Sequence, residues 1–232
     1  DEVSATSPIV ITDSAGHQIT LSAPAEHVVT MGFAFTLTVM DLGGTEKIVG
    51  YDRYSTYDYN GDERMEVLEG TAMLGTGYNS DKASLISGLA QLVEDGLFDK
   101  DTDVVFMNNF SSTLATGAVY DNLVAEGYNV ICLGAKTYEE SIDVVEAISD
   151  AMGLNSSGSV SNMTSARDTV IENIADIAEE DRPRAMYISV TGDTIKVYNS
   201  GLAVSMIEIC GATNAGSNGS SATSYNSDTS AV

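Results

Sequence analysis

Short apolar runs that alternate with helix-like segments constrain the fold of this chain more than any other feature. Strands are predicted at 28–30, 48–50, 104–107 and 130–133. Helices are predicted at 35–42, 81–97 and 119–126. Because parallel strands need a long crossover, usually a helix, this alternation predicts a parallel sheet covered by helices on both faces.

The second half of the chain predicts a long helix and then another α/β unit. Thr137 and Glu140 have the spacing of a capping box, and Gly153 supplies a helix stop. An amphipathic pattern then predicts one helix over 156–180, followed by strands at 185–190 and 195–198 and a helix at 202–209. The predicted fold class is therefore α/β, with two lobes that have parallel-type sheets and are joined by one long helix. The predicted domains are an N-terminal lobe at 1–135, a helical connection at 136–182 and a C-terminal lobe at 183–232.

Charge excludes several classes of partner. The chain has 34 Asp and Glu against 10 Lys and Arg, a net charge of -24 over 232 residues. Such a surface repels phosphate backbones, so we expect no nucleic-acid binding. Apolar stretches stop well short of the roughly 18 residues that span a bilayer. The opening "DEVSATSP" is typical of the mature end of an exported protein, which predicts an extracytoplasmic location and a signal segment absent from this chain.

Cysteine and histidine usage argues against a metal site or an enzyme. Cys132 and Cys210 lie far apart and outside any CxxC pattern, so two buried free thiols on apolar strands are expected. His17 and His27 are too few for a typical zinc or manganese importer site, and we predict no metal ligands. Direct coordination of ferric iron by tyrosines and carboxylates stays open, although it has no diagnostic spacing. No G-x-S-x-G elbow is present, and we predict no catalytic residues.

The aromatic stretch "GYDRYSTYDYNGDER" predicts a ligand site. Tyr51, Arg53 and Tyr54 follow a predicted strand, where ligand crevices of open α/β sheets lie. Met31 and Phe33 follow the first core strand and are expected to line the same crevice, and Tyr78 is a further aromatic candidate. The alternative is a solvated loop whose tyrosines cover a neighbouring surface. The "LGTGYNSD" stretch lacks the third glycine and the lysine of nucleotide-binding loops.

Five blocks along the chain resemble a known family. They are "ITDSAGHQITL", "APAEHVVTMGFAFTLTVMDLGGTEKIVGYD", "KTYEESIDVVEAISDAMG", "RPRAMYISV" and "GLAVSMIEICGATNAG". Their order and spacing resemble the single-helix-hinged substrate-binding proteins of ABC importers, which carry vitamin B12, haem and ferric siderophores. His27 departs from the family pattern, which usually has a basic residue at this place.

The resemblance implies a partner and further site residues. Asp81 takes the place of the acidic residue that docks onto the membrane permease, and Asn214 and Tyr225 are expected near the lobe interface. The family continues beyond "SYNSDTSAV", so the second lobe is expected to be incomplete.

The sequence leaves two functional hypotheses. The first is an extracytoplasmic protein that captures an iron complex, haem or corrinoid, without a cofactor of its own, and delivers it to an ABC permease. The second is an extracellular sensor or adhesion module that keeps the fold without transport.

Overall fold

The chain divides into two structural units. The structure, a computed structural model, describes residues 8–57, 63–75, 82–108, 116–191, 194–216 and 222–226. Unit 1 contains residues 1–134 and 144–157, and unit 2 contains residues 135–143 and 158–232. The three-part division expected from the sequence stays a prediction.

Unit 1 is built on a hairpin and a five-stranded sheet. Its strands are β1 (Ile9–Thr12), β2 (Gln18–Leu21), β3 (Val28–Met31), β4 (Ile48–Tyr51), β5 (Ala72–Met73), β6 (Val104–Asn108) and β7 (Asn129–Leu133). Strands β1 and β2 form an antiparallel hairpin. The other five pair in parallel in the order β5-β4-β3-β6-β7. The predicted α/β class with a parallel sheet is confirmed.

Helices cover both faces of this sheet. They are α1 (Phe33–Asp41), the short α2 (Tyr54–Tyr57), α3 (Lys82–Glu94), α4 (Thr116–Ala125) and α5 (Tyr138–Met152), and 3₁₀ turns occupy Thr45–Lys47 and Glu63–Leu68. Alternate residues of β6 enter opposite cores: Val104 and Phe106 pack with α1 and α5, whereas Val105 and Met107 pack with α3 and α4. Because side chains alternate along a strand, a sheet buried on both faces needs the continuous apolar strands that the sequence shows.

Unit 2 combines two helices with five short strands among its described residues. Its elements are α6 (Ser157–Ile174), β8 (Arg184–Ala185), β9 (Tyr187–Thr191), β10 (Thr194–Tyr198), α7 (Leu202–Ile209), β11 (Thr213–Asn214) and β12 (Ala222–Asn226), with a 3₁₀ turn at Glu179–Asp181. Strands β11 and β8 pair in parallel, and β12, β10 and β9 form an antiparallel sheet. The region predicted as one strand at 185–190 is divided between β8 and β9.

The parallel-type sheet predicted for the second lobe therefore describes only the pair of β8 and β11. Strand β9 ends at Thr191 and β10 begins at Thr194. A connection this short can join only antiparallel neighbours, since a parallel pair needs a crossover of about a dozen residues. Whether the second lobe is incomplete stays a prediction.

The predicted cap of helix α5 is confirmed. The Thr137 hydroxyl accepts a hydrogen bond from the Glu140 amide at 3.1 Å, and the Glu140 carboxylate accepts one from the Lys136 amide at 2.6 Å. Gly153 ends the helix with a φ of 63°, a left-handed conformation that favours glycine.

Helix α6 ends earlier than predicted. It stops at Ile174 rather than at residue 180, and the next bonds, such as Ile177 N–H to the Ile174 carbonyl at 3.0 Å, are of the tighter i→i+3 kind. Asp176, Glu179 and Glu180 follow this end, where negative charge opposes the helix dipole. Pro183 also keeps Arg182 extended.

One of the two cysteine predictions is wrong. Cys132 is buried on strand β7, as expected, but Cys210 is exposed and follows helix α7 instead of lying on an apolar strand. The helix predicted at 202–209 places Cys210 directly after its last residue, where the chain is exposed, so a strand position for Cys210 does not fit that prediction. Among the described residues, no helix combines the length and the apolar character needed to cross a membrane.

The cap of α5 generates a test of helix stability. Thr137→Ala removes the acceptor for the Glu140 amide, and we expect the free energy of unfolding to fall by about 1 kcal/mol. Urea denaturation followed by circular dichroism measures this change. The control is Thr169→Ala, because Thr169 is an exposed residue inside α6 and its hydroxyl donates only to the Ser165 carbonyl. Equal effects of the two substitutions would contradict the capping assignment.

Candidate functional site

The parallel sheet of unit 1 has a topological switch point between β3 and β6. From β3 the chain moves outward to β4 and β5, and it then returns to add β6 and β7 on the other side. Ligands of open α/β sheets bind outside the carboxyl ends of the strands at such a point, because connections leave in opposite directions and open a crevice. The residues that follow β3 and β6 flank this point, and those that follow β4 and β5 lie beside β3 at the same edge of the sheet. The residues after β6, 109–115, lie outside the described residues, so the described candidates are those after β3, β4 and β5.

The backbone is tightly packed at this switch point. Gly32 follows β3, and a Cβ atom built there would lie 2.8 Å from the Asn108 side-chain nitrogen at the end of β6. The same Asn108 nitrogen donates to the Met31 carbonyl at 3.4 Å, so it joins the two strand ends. Phe33 comes next, with 40% of its surface exposed at the first residue of α1. A Cβ atom at this position would therefore displace the Asn108 side chain, and an exposed aromatic ring follows directly after Gly32.

Arg53 and Tyr54 occupy the neighbouring strand end. The Arg53 amide donates to the Gly75 carbonyl at 2.7 Å, which fixes the turn after β4 to the segment after β5. The Arg53 guanidinium carbon lies 5.5 Å from the centre of the Tyr54 ring, within cation–π range. Arg53 is exposed, Tyr54 is 40% exposed, and Met73 at the end of β5 is 55% exposed.

These four side chains form what we call the carboxyl-edge patch: Phe33, Arg53, Tyr54 and Met73. They follow or end three adjacent strands of one sheet, whose neighbours lie about 4.8 Å apart. The patch offers aromatic faces, a thioether and one cation, which suits a large ligand with planar or oxygen-rich parts.

A buried hydrogen-bond network of hydroxyl groups connects the elements that carry the patch. The Thr36 hydroxyl lies 2.7 Å from that of Thr30 and 2.9 Å from that of Ser55, and Ser55 donates to the Asp52 carboxylate at 2.5 Å. The Ser55 amide donates to the same carboxylate oxygen at 3.0 Å. All four residues are buried. This network joins β3, α1 and the turn after β4, so it fixes the backbone that carries Phe33, Arg53 and Tyr54.

Burial perturbs the acid of this network. Desolvation raises the pKa of Asp52 above its usual value, and the hydrogen bonds from Ser55 and the Tyr54 backbone oppose that shift in part. The carboxyl group therefore holds a proton more strongly in the folded chain than in the unfolded one.

The structure separates the predicted ligand contacts into three groups. Phe33, Arg53 and Tyr54 are exposed at the carboxyl ends of the strands. Met31 and Tyr51 are buried, with 2% and 8% of their surface exposed, and belong to the two cores of unit 1. Their side chains project from the sheet into the cores that the helices cover, so they are not among the proposed ligand contacts.

Four predicted residues remain: Tyr78, Asp81, Asn214 and Tyr225. Tyr78 and Asp81 lie outside the described residues. Asn214 is buried in unit 2, where its side-chain oxygen accepts from the Gly216 amide at 2.9 Å and its nitrogen donates to the Tyr198 carbonyl at 3.4 Å. Tyr225 is on β12, and its side chain is outside the described part of the structure. Their ligand and permease roles stay predictions.

Sequence reasoning missed Met73 and the hydroxyl network. Met73 ends a two-residue strand, too short for an apolar period to reveal. The network did leave a signal, since Thr30 is a polar residue within an apolar strand and Asp52 directly follows another strand. Pairing them with Thr36 and Ser55 required the fold.

The opposite edge of the sheet has a different character. An open depression of about 660 Å³ lies at the amino ends of β3 and β6, and its lining includes Glu26, Asp99, Asp101 and Asp103. His27 is paired there with Asp103 at 3.1 Å. Its acidic lining and its position away from the carboxyl ends make it a weaker candidate than the carboxyl-edge patch.

The chain matches no protein-family model and no curated protein sequence. It is similar to solved structures of periplasmic binding proteins. The haem-binding protein HutB of Vibrio cholerae shares 15% identity and a TM-score of 0.57, with 85% of this chain and 68% of HutB covered. The vitamin B12 binding protein BtuF of Vibrio cholerae shares 15% identity and a TM-score of 0.65, with 88% and 72% covered.

A third similar structure is CeuE of Helicobacter pylori with Ni(II) bound. It shares 15% identity and a TM-score of 0.64, and the alignment covers 89% of this chain and 62% of CeuE. The chain therefore spans about two thirds of the length of these proteins. At this identity the likeness establishes the fold, and the fold of this chain is that of the two-lobed periplasmic binding proteins for haem and vitamin B12.

Proposed function

We propose that this chain belongs to an extracytoplasmic substrate-binding protein of an ABC importer, and that the carboxyl-edge patch contacts its ligand. The ligand is an iron complex, haem or a corrinoid, and the delivery partner is a membrane permease. The observation that carries the proposal is the patch itself, because aromatic and cationic side chains are exposed where this fold class binds ligands.

The comparisons support the same ligand class. Similar folds include proteins described as binding haem and vitamin B12, both of which present large conjugated rings. Phe33 and Tyr54 can pack against such rings, and Arg53 can donate to carboxylate or amide oxygens at their rim. Neither task requires a nucleophile or a proton relay, so binding without chemistry is the role that the patch fits.

The net charge of the chain favours uncharged ligands over anionic ones. A chain with a net charge of -24 repels anions. At physiological ionic strength, salt screens this repulsion beyond about 8 Å. Arg53 can offset this repulsion only locally. We therefore place a corrinoid or an uncharged ferric complex ahead of haem, whose propionates are anionic. No observation favours the sensor or adhesion alternative.

The patch generates a binding prediction. Phe33→Ala, Arg53→Ala and Tyr54→Ala combined in one protein should weaken binding by at least about a hundredfold, because two ring contacts and one cation are lost together. Isothermal titration with cyanocobalamin, haemin and a ferric siderophore measures the affinity. For an anionic ligand, raising the salt concentration should also strengthen binding to the unaltered protein.

The matched control removes an apolar and a cationic side chain elsewhere. Leu97 is exposed beyond α3, and Arg184 is exposed on β8 in unit 2. Leu97→Ala with Arg184→Ala should leave the affinity unchanged. If the triple variant binds as tightly as this control, the patch is not the ligand site.

The buried acid generates a prediction about pH. Because the folded-state pKa of Asp52 is raised, its contribution to stability is full below the unfolded value, near 3.8, and is lost as pH rises through the folded value. Asp52→Asn cannot ionise and keeps an oxygen acceptor for Ser55. We expect the variant to gain stability relative to the parent protein between pH 4 and pH 7, measured by urea unfolding at both values. A difference that stays constant or reverses would show that Asp52 is not destabilised by ionisation.

A further inference from the structure

Three different metal-ligating side chains converge where the N-terminal hairpin meets strand β7. Asp13 and His17 come from the turn between β1 and β2, and Cys132 comes from β7. One ligand atom from each residue lies within 4.8 Å of the other two. Asp13 and Cys132 are buried, whereas 42% of the His17 side chain is exposed. The cluster lies entirely within unit 1 and involves no residue of the carboxyl-edge patch.

We propose that Asp13, His17 and Cys132 bind one Zn²⁺ ion, with solvent as the fourth ligand. A carboxylate oxygen, an imidazole nitrogen and a thiolate are the three ligand types that zinc takes in proteins. Tetrahedral zinc places such atoms about 3.4–3.6 Å apart, given its usual bond lengths. The His17 Nδ1 and Asp13 Oδ2 atoms are 3.0 Å apart here, so a shift of well under an ångström brings this pair to the required separation.

The ligands are oriented before an ion arrives. The second Asp13 oxygen, Oδ1, accepts hydrogen bonds from the amides of Ala15 at 2.9 Å and His17 at 2.8 Å. The His17 ring stacks on Tyr120 of helix α4, with 4.4 Å between ring centres and 13° between planes. Contacts of this kind fix ligand orientation in known metal sites. The His17 side chain is partly exposed, so an ion can reach this ligand from solvent.

Ion binding must displace a proton. Burial first, and then the Asp13 charge and a hydrogen bond to Asp13, raise the pKa of Cys132 to about 12, so the free thiol is protonated at neutral pH. The exchange is Cys132–SH + Zn²⁺ → Cys132–S–Zn⁺ + H⁺. The His17 Nδ1 atom donates a lone pair to the ion, so its contact with Asp13 is replaced by shared coordination.

This exchange makes the affinity fall as the pH falls, since protons compete with the ion for the thiolate. Among the described residues, Tyr120 on α4 is a further titratable group against the cluster. The pKa of Tyr120 is raised, by burial first and then by the charges of Asp13, Cys132 and Asp121. Tyr120 therefore stays neutral over the working range and adds no competing charge.

A purely structural role explains only part of the cluster. The Cys132 amide donates to Asp13 at 3.0 Å, and the Ser14 amide donates to the Cys132 carbonyl at 2.9 Å. These bonds attach the hairpin turn to the edge strand β7 and account for Asp13. They use the backbone of Cys132, whereas its thiol and the His17 imidazole both bond to the Asp13 side chain. The zinc proposal gives these two side chains one shared role, and it goes beyond the proposed ligand function.

The test uses Co²⁺ as a spectroscopic substitute for Zn²⁺. Cys210→Ser first removes the exposed thiol, and this protein is titrated with Co²⁺ under reducing, chelator-free conditions. We expect a thiolate-to-cobalt absorption band that saturates at one ion per chain and disappears when Zn²⁺ is added. His17→Ala should weaken Zn²⁺ binding at least about tenfold, and Cys132→Ser should abolish the band.

The matched control is His27→Ala. His27 pairs with Asp103 at 3.1 Å, much as His17 pairs with Asp13, but the clusters of metal-ligating groups among the described residues include no thiol beside it. This variant should bind Zn²⁺ as the parent does. Absence of the band in the parent, or equal affinity in the His17 and His27 variants, would overturn the proposal.

A second measurement tests the proposal without any Cys132 variant, in case Cys132→Ser fails to fold. In the parent protein, Zn²⁺ should slow alkylation of Cys132 at least about tenfold at a pH where the chain stays folded, because the thiolate is held by the ion. An alkylation rate that Zn²⁺ does not change would also overturn the proposal.

Discussion

The pairing of β3 with strands on both sides is the constraint on which the rest of unit 1 depends. This four-residue strand is buried throughout and bonds to β4 on one side and β6 on the other. Buried backbone groups must be paired, so the strand can exist only inside a sheet. The chain reverses its direction of growth around it, and this reversal places the end of β3 beside the end of β6. The candidate site follows from that topology.

Apolar packing alone does not position the site. Thr30 on β3, Thr36 on α1 and Ser55 after β4 are linked by hydroxyl contacts to the Asp52 carboxylate. Buried polar groups are stabilising only when their partners are all in place, because an unpaired group loses its bonds to water without compensation. The network therefore specifies one arrangement of the loop that presents Arg53 and Tyr54. Burial of the Asp52 carboxyl group in this network disfavours its ionised form, which raises its pKa.

The sequence predicted the local elements well and the non-local ones less well. Helix α7 at Leu202–Ile209 and strands β3, β4, β6 and β7 follow from apolar periods and from glycine and capping signals that act within a few residues. The antiparallel pairing of β12 with β10 could not be read, since nothing in either strand identifies its partner. The end of α6 depends on charge near its terminus, which the apolar period does not report.

The sequence predicted only part of the site, because local features can be read from it and non-local contacts cannot. Phe33, Arg53 and Tyr54 follow strands, and the position of strand ends is a local feature. Burial of Met31 and Tyr51 depends on helices packed from both sides, which position along the chain does not reveal. Asp13 and Cys132 are far apart in sequence and meet only because the hairpin turn bonds to the edge strand β7. The small number of histidines argued against a metal site in the sequence, but this cluster combines a single histidine with an aspartate and a cysteine.

Hydrogen exchange with and without bound ligand tests most directly whether the carboxyl ends of the unit 1 sheet hold the ligand. Mass spectrometry of peptides from the protein with cyanocobalamin or haemin compares residues 32–36 and 51–57 with residues 95–103 at the opposite edge. The account predicts slower exchange in the first two segments and no change in the third. Measurable binding with slower exchange at 95–103, and none at 32–36 or 51–57, would contradict it.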